Sequence, residues 1–140
     1  MPTAVAWSGG AMLDNKYYVI GGVDVSGVTN VVQVYDPASG AWEYEGEMTM
    51  GRIGHRAIAY QDKIYVFGGE VKKPSPGTLD DVEVYDPATS QVFLASELQY
   101  VRGASVVFAY QGKIYVCGGH VTLKPDFTCS SKLEIGIPDF

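Results

Sequence analysis

Hydrophobic and polar positions alternate in short runs along this chain. In "AIAYQDKIYVFGG" (Ala57 to Gly69) two apolar runs flank the polar pair Gln61-Asp62. That reads as strand, two-residue turn, strand. In "DDVEVYDP" (Asp80 to Pro87) Val82 and Val84 alternate with Glu83 and Tyr85, the period of a strand. Asp86-Pro87 then starts a turn, because Asp bonds its own backbone and Pro presets φ. "QVFLAS" (Gln91 to Ser96) supplies a further strand. No segment carries a helical period. The chain is predicted to be all-β.

The same series returns along the chain. "KYYVIGG" (Lys16 to Gly22) recurs as "KIYVFGG" (Lys63 to Gly69) and "KIYVCGG" (Lys113 to Gly119), at offsets of 47 and 50 residues. "VVQVYDPASGAW" (Val31 to Trp42) recurs as "DVEVYDPATSQV" (Asp81 to Val92). "GRIGHRAIAYQDK" (Gly51 to Lys63) recurs as "VRGASVVFAYQGK" (Val101 to Lys113). The 140 residues therefore form one domain of about three units: repeat 1 about 1–47, repeat 2 about 48–97 and repeat 3 about 98–140, the last lacking its outer strand. A four-stranded antiparallel sheet recurring at this spacing is a propeller blade.

The motif residues carry a closer resemblance. Paired glycines follow an aromatic-rich strand at Gly21-Gly22, Gly68-Gly69 and Gly118-Gly119; Tyr35 and Tyr85 recur, and Trp42 stands seven residues after Tyr35. The chain resembles the kelch-repeat β-propellers. It departs from them in three places. Val92 stands at the Trp position, Gly136 at the third Tyr position, and Val5 where the other repeats have Arg52 and Arg102.

Three blades, one incomplete, cannot form a ring, since propellers carry about 4–8. The end sheets would expose apolar faces larger than soluble monomers tolerate. The expected solution is a ring of about six blades closed by self-association as a homodimer. A larger propeller completed by other segments is the alternative.

Composition and charge narrow the function. Lys plus Arg number 10 and Asp plus Glu 16, a net charge of -6. This disfavours a nucleic-acid partner or an anionic membrane, and no apolar run is long enough for a transmembrane helix. Cys117 and Cys129 are too few for a disulfide scaffold, and the N-terminus lacks a signal-peptide pattern, so a cytoplasmic protein is expected. Cys117, inside an apolar run, is expected to be buried and inert. No zinc spacing or nucleophile elbow occurs, so no metal, cofactor or catalytic residue is assigned.

Strand alternation places the long connections Val23 to Asn30, Glu70 to Asp80 and His120 to Ser131 on one face of the disc, where recognition usually resides. Near the channel mouth the equivalent positions are Ser8, His55 and Ser105. Trp7, Arg52, Arg56, Glu70, Arg102 and His120 stand beside them as candidate binding residues. The arginine fork suits a carboxylate or acidic peptide; the simpler reading of Arg52 and Arg102 is pairing inside the repeat. Lys72-Lys73, flanked by Pro74 and Pro76, is a small basic spot. The resemblance implies a protein-interaction scaffold that holds a protein or peptide. The alternative it implies is a small-molecule or carbohydrate-active propeller, like the sugar-acid isomerases or the oxidases, with its site at the channel mouth. The copper ligands of the oxidases have no matching motif here.

Overall fold

A computed structural model describes residues 1–72, 77–121 and 128–136. The first repeat holds β1 (Gly9–Leu13), β2 (Lys16–Ile20), β3 (Val23–Asp24), β4 (Gly27–Val28), β5 (Val31–Asp36) and β6 (Ala41–Glu47). The second holds β7 (Arg56–Tyr60), β8 (Lys63–Phe67), β9 (Glu70–Val71), β10 (Gly77–Thr78), β11 (Asp81–Asp86) and β12 (Gln91–Glu97). The third holds β13 (Val106–Tyr110), β14 (Lys113–Cys117) and β15 (Leu133–Gly136). The main sheets are antiparallel and run β1-β2-β5-β6, β7-β8-β11-β12 and β13-β14-β15.

The tight turns follow from local chemistry. Asp14-Asn15, Gln61-Asp62 and Gln111-Gly112 all have positive φ at both residues, the mirror-image turn whose twist matches the flanking strands. The long connections are more ordered than the sequence suggests. Two of them contain a small hairpin, β3 with β4 and β9 with β10. Hairpins of two-residue strands carry too little periodicity to be seen in sequence. Lys73, Pro74 and Pro76 lie outside the described residues.

Each sheet buries one face against its neighbour. Ala11, Tyr18, Ile20, Val32 and Val34 of the first meet Ile64, Val66 and Tyr85 of the second. Tyr65, Phe67, Val82 and Val84 on the opposite face of the second meet Ile114 and Val116 of the third. The middle sheet is thus covered on both sides, which is why its strands read as continuous apolar runs.

Backbone bonds carry the arrangement from repeat to repeat. The N–H of Gly54 donates to the Trp7 carbonyl at 3.1 Å, and the N–H of Ala104 donates to the Gly54 carbonyl at 2.7 Å. These three residues are equivalent and all left-handed, with φ of 56°, 63° and 51°. Likewise Gly22 and Gly69 each donate to the carbonyl of the next repeat's arginine, Arg52 and Arg102, at 2.9 Å.

The outer face of the third sheet is apolar and open. Cross-strand register puts Val106, Cys117 and Leu133 in one row and Phe108, Tyr115 and Ile135 in the next. Phe108 and Tyr115 stack with centroids 5.0 Å apart. Val106, Leu133 and Ile135 are 57%, 54% and 55% exposed. Cys117 belongs to this face and is only half-buried, where the sequence had pointed to a buried thiol; the apolar run around it faces a neighbour on alternate residues only. The outer face of the first sheet is partly covered. There Thr3 donates its N–H to Gln33 Oε1 at 2.7 Å and accepts from Gln33 Nε2 at 3.0 Å, and Gln33 is buried. Among the described residues no helix is long and apolar enough to cross a membrane.

Candidate functional site

The residues singled out from the sequence sort into two layers. The inner layer is buried and engaged within the chain. Arg52, at the start of the second repeat, donates from Nη1 to the Gly68 carbonyl at 2.9 Å, and its fork meets both oxygens of Asp81 at 2.8 Å. Its Nη2 also lies 3.1 Å from Glu83 Oε2. Arg102 repeats the design. It donates to the carbonyls of Gly118 at 2.8 Å and Lys132 at 3.1 Å, and its Nη2 reaches Glu134 at 2.6 Å. Neither guanidinium is exposed. Burial pushes the Glu83 carboxyl up, opposed by the adjacent Arg52 charge.

The first repeat uses another solution at the same place. Gln33, Glu83 and Glu134 are equivalent, since each pairs with the valine of the second strand: Val19, Val66 and Val116. Where the arginine is replaced by Val5, the carboxylate is replaced by the neutral Gln33, satisfied by the main chain of Thr3. An unpaired buried carboxylate would have been costly.

His55 and Ser105 are buried as well. His55 Nε2 lies 3.0 Å from the N–H of Gly9 and 3.0 Å from the Ile20 carbonyl, both in the preceding repeat. Burial first, and the Arg52 charge second, hold its pKa down to about 4. It is therefore neutral near pH 7 and joins two repeats. Ser8, the third member of this tier, is half-buried.

The second layer lies at the strand-entry bridges. Val23, Glu70 and His120 occupy equivalent positions, each bridged to the strand-entry residue of its own repeat, Ala6, Ile53 and Gly103. This register brings Glu70 of the second repeat against His120 of the third, Oε1 to Nε2 at 2.6 Å. Trp7 is 68% exposed beside them. Trp7, Ile53, Gly54 and Glu70 line a cavity of about 250 Å³. Arg56 is half-buried and donates to the His55 carbonyl at 3.1 Å. The nine candidate residues thus divide. Trp7 is exposed, Ser8, Arg56 and Glu70 are half-buried, and His120, packed against Glu70, is buried together with Arg52, His55, Arg102 and Ser105. Among the described residues no three His, Cys, Asp or Glu side chains form a metal-binding group.

Sequence reasoning missed the Glu70–His120 contact and the roles of Asp81, Glu83 and Glu134. The recurrence of an acidic residue at the third strand, opposite a recurring arginine, was the available signal.

A repeated four-stranded sheet with paired glycines closing its second strand, and an arginine anchored to the third, defines a kelch-type blade. The Kelch motif model matches residues 8–49 and 51–98, more than half of the chain, and the chain belongs to that family. It is 32% identical over 75 residues to mouse Kelch-like protein 15, covering 43% of this chain and 12% of that protein, and the human protein matches to the same extent. A putative F-box/kelch-repeat protein of Arabidopsis thaliana is 33% identical over 75 residues, covering 49% of this chain and 19% of that protein. The chain therefore spans a small fraction of the length of these relatives.

Proposed function

We propose that the chain is a non-catalytic protein-interaction scaffold. It completes its ring with a second copy and holds a protein partner through the loops around the mouth. The open face of the third sheet carries this reading. Phe108, Tyr115, Val106, Leu133 and Ile135 offer a second molecule the kind of apolar surface that the middle sheet buries on both sides. Covering such a surface is favourable at roughly 25 cal/mol per Å². The inter-repeat bonds run in one sense, from the Ala104 N–H to Gly54 and from the Gly54 N–H to Trp7, so a copy added in the same sense would extend the series. Two copies meeting end to end, third sheet on first sheet, would give a two-fold ring. The recognition surface is then the β3–β4 and β9–β10 hairpins with Trp7.

Light scattering tests the assembly. A mass near twice 15.1 kDa is expected, and a stable 15.1 kDa species across the concentration range overturns it.

One observation favours a second reading. An exposed Trp7 beside the Glu70 carboxylate, over a cavity of about 250 Å³, is a small site of the kind that stacks and hydrogen-bonds a sugar or sugar acid. Calorimetric titration with neutral sugars and sugar acids tests it. Binding lost in Trp7→Ala supports this reading, and no heat with either class removes it.

A further inference from the structure

Trp7 sits at odds with its backbone. It is left-handed, with φ of 56°, as are Gly54 and Ala104 at the equivalent positions. Glycine adopts that conformation freely, whereas a bulky side chain holds it at a cost. Little packing repays that cost, since Trp7 is 68% exposed. Backbone strain under a large exposed aromatic points to contact with another molecule.

The surroundings of Trp7 set the chemistry of that contact. The cavity of about 250 Å³ that it borders is otherwise lined by Ile53, Gly54 and Glu70. A Cβ on Gly54 would meet nothing closer than 3.9 Å, so the space beside Trp7 is open. Glu70 is the one lining residue with an ionisable side chain, and that side chain is a carboxylate. Its Oε1 takes the His120 Nε2 contact at 2.6 Å, which leaves Oε2 for a second donor. Arg56, Lys72 and His120 do not line the cavity.

The cations that would hold an acidic ligand are engaged elsewhere. Arg52 is held by Asp81 and Glu83, and Arg102 by Glu134. Neither guanidinium is exposed. Arg56 donates to the His55 carbonyl. The chain carries a net charge of -6, which steers cationic partners towards it.

We propose that Trp7 and Glu70 form a binding site for an arginine side chain of a partner protein. The guanidinium lies over the indole, the aromatic face that attracts a cation most strongly. It donates to Glu70 Oε2 in a charge-assisted hydrogen bond. Its methylene stem passes over Ile53 and Gly54, apolar surface that such a stem covers well. Arginine suits the place better than lysine, because its planar and weakly hydrated head stacks on an aromatic ring. The inference rests on the scaffold reading and gives its partner a chemistry, opposite in charge to the acidic peptide that the recurring arginines suggested. The site lies within one chain, so it does not depend on ring closure.

The test titrates three capped pentapeptides into the full ¹⁵N-labelled chain. Each has two glycines on either side of a central arginine, citrulline or glutamate. Citrulline keeps the shape of arginine and removes its charge. The chain has two tryptophans, so the Trp7 indole N–H is assigned by its loss in Trp7→Phe. With the arginine peptide, the Trp7 indole and Gly54 amide signals are expected to shift and saturate in the millimolar range. Citrulline should weaken binding at least fivefold, and so should Trp7→Ala and Glu70→Gln, each with the β-sheet circular dichroism retained. Trp7→Phe should keep part of the affinity. Equal binding of the citrulline peptide, or unchanged affinity in folded Glu70→Gln, overturns the proposal. Binding of the glutamate peptide at Trp7 in place of the arginine peptide overturns it and leaves the scaffold reading standing. No shift at Trp7 with any of the three overturns it and takes Trp7 out of the recognition surface.

Discussion

His55 of the second repeat stands against Gly9 of the first so closely that a Cβ on Gly9 would lie 2.6 Å from the imidazole. The next repeat shows the compensating pair: Arg56 and Ser105 hold the equivalent positions, a large residue against a small one. Gly9→Ala should therefore destabilise the chain by about 2 kcal/mol through overpacking. His55→Ser should recover much of that loss in the double variant. A double-mutant cycle in urea checks it, and additive losses would refute the contact.

His55 also makes stability pH-dependent. Its pKa of about 4 in the fold lies below the ordinary 6.5, because burial disfavours the imidazolium. Between these values the unfolded chain binds a proton that the folded chain does not. Stability is then complete above pH 6.5, falls as pH drops towards 4, and loses about 3 kcal/mol over that window. Urea melts at pH 7.5 and 4.5 measure this, and His55→Asn should flatten the slope.

Burial separates the ion pairs in strength. Arg52→Ala leaves Glu83 buried without its cation and should cost about 3–5 kcal/mol. Asp86→Asn breaks the more exposed pair with Lys63, at 2.9 Å, and should cost under about 1 kcal/mol because water screens it. Thermal melts of the two variants compare them directly.

The proposed self-association should depend on the stacked pair Phe108–Tyr115. Phe108→Glu puts a charge in the middle of the open face, and sedimentation should show the monomer at concentrations where the parent chain is paired. The melting profile of the monomer should stay cooperative, since Phe108 lies outside both buried clusters. A paired Phe108→Glu species would place the contact elsewhere.

Much of this is legible in the sequence. The period-2 alternation of Val82 to Tyr85, the Gln61-Asp62 turn and the recurring Gly-Gly each follow from local chemistry, and all three recur in register. The candidate site was less legible. Arg52 and Arg102 stood out as recurring cations, yet whether a guanidinium faces solvent or a buried carboxylate depends on Asp81, Glu83 and Glu134, about 30 residues away in the chain. The Val5 and Gln33 exchange makes sense only once Thr3 is seen to satisfy Gln33.

Strand order, turn positions and the kelch repeat were written in the sequence, because strands and turns follow from near neighbours and the repeat returns the same local pattern at offsets of 47 and 50 residues. Which face of the third sheet lies open, which candidate side chains are buried and that Glu70 meets His120 were decided only in three dimensions. Those features arise where one repeat meets the next, and a contact across repeats leaves no local period to read.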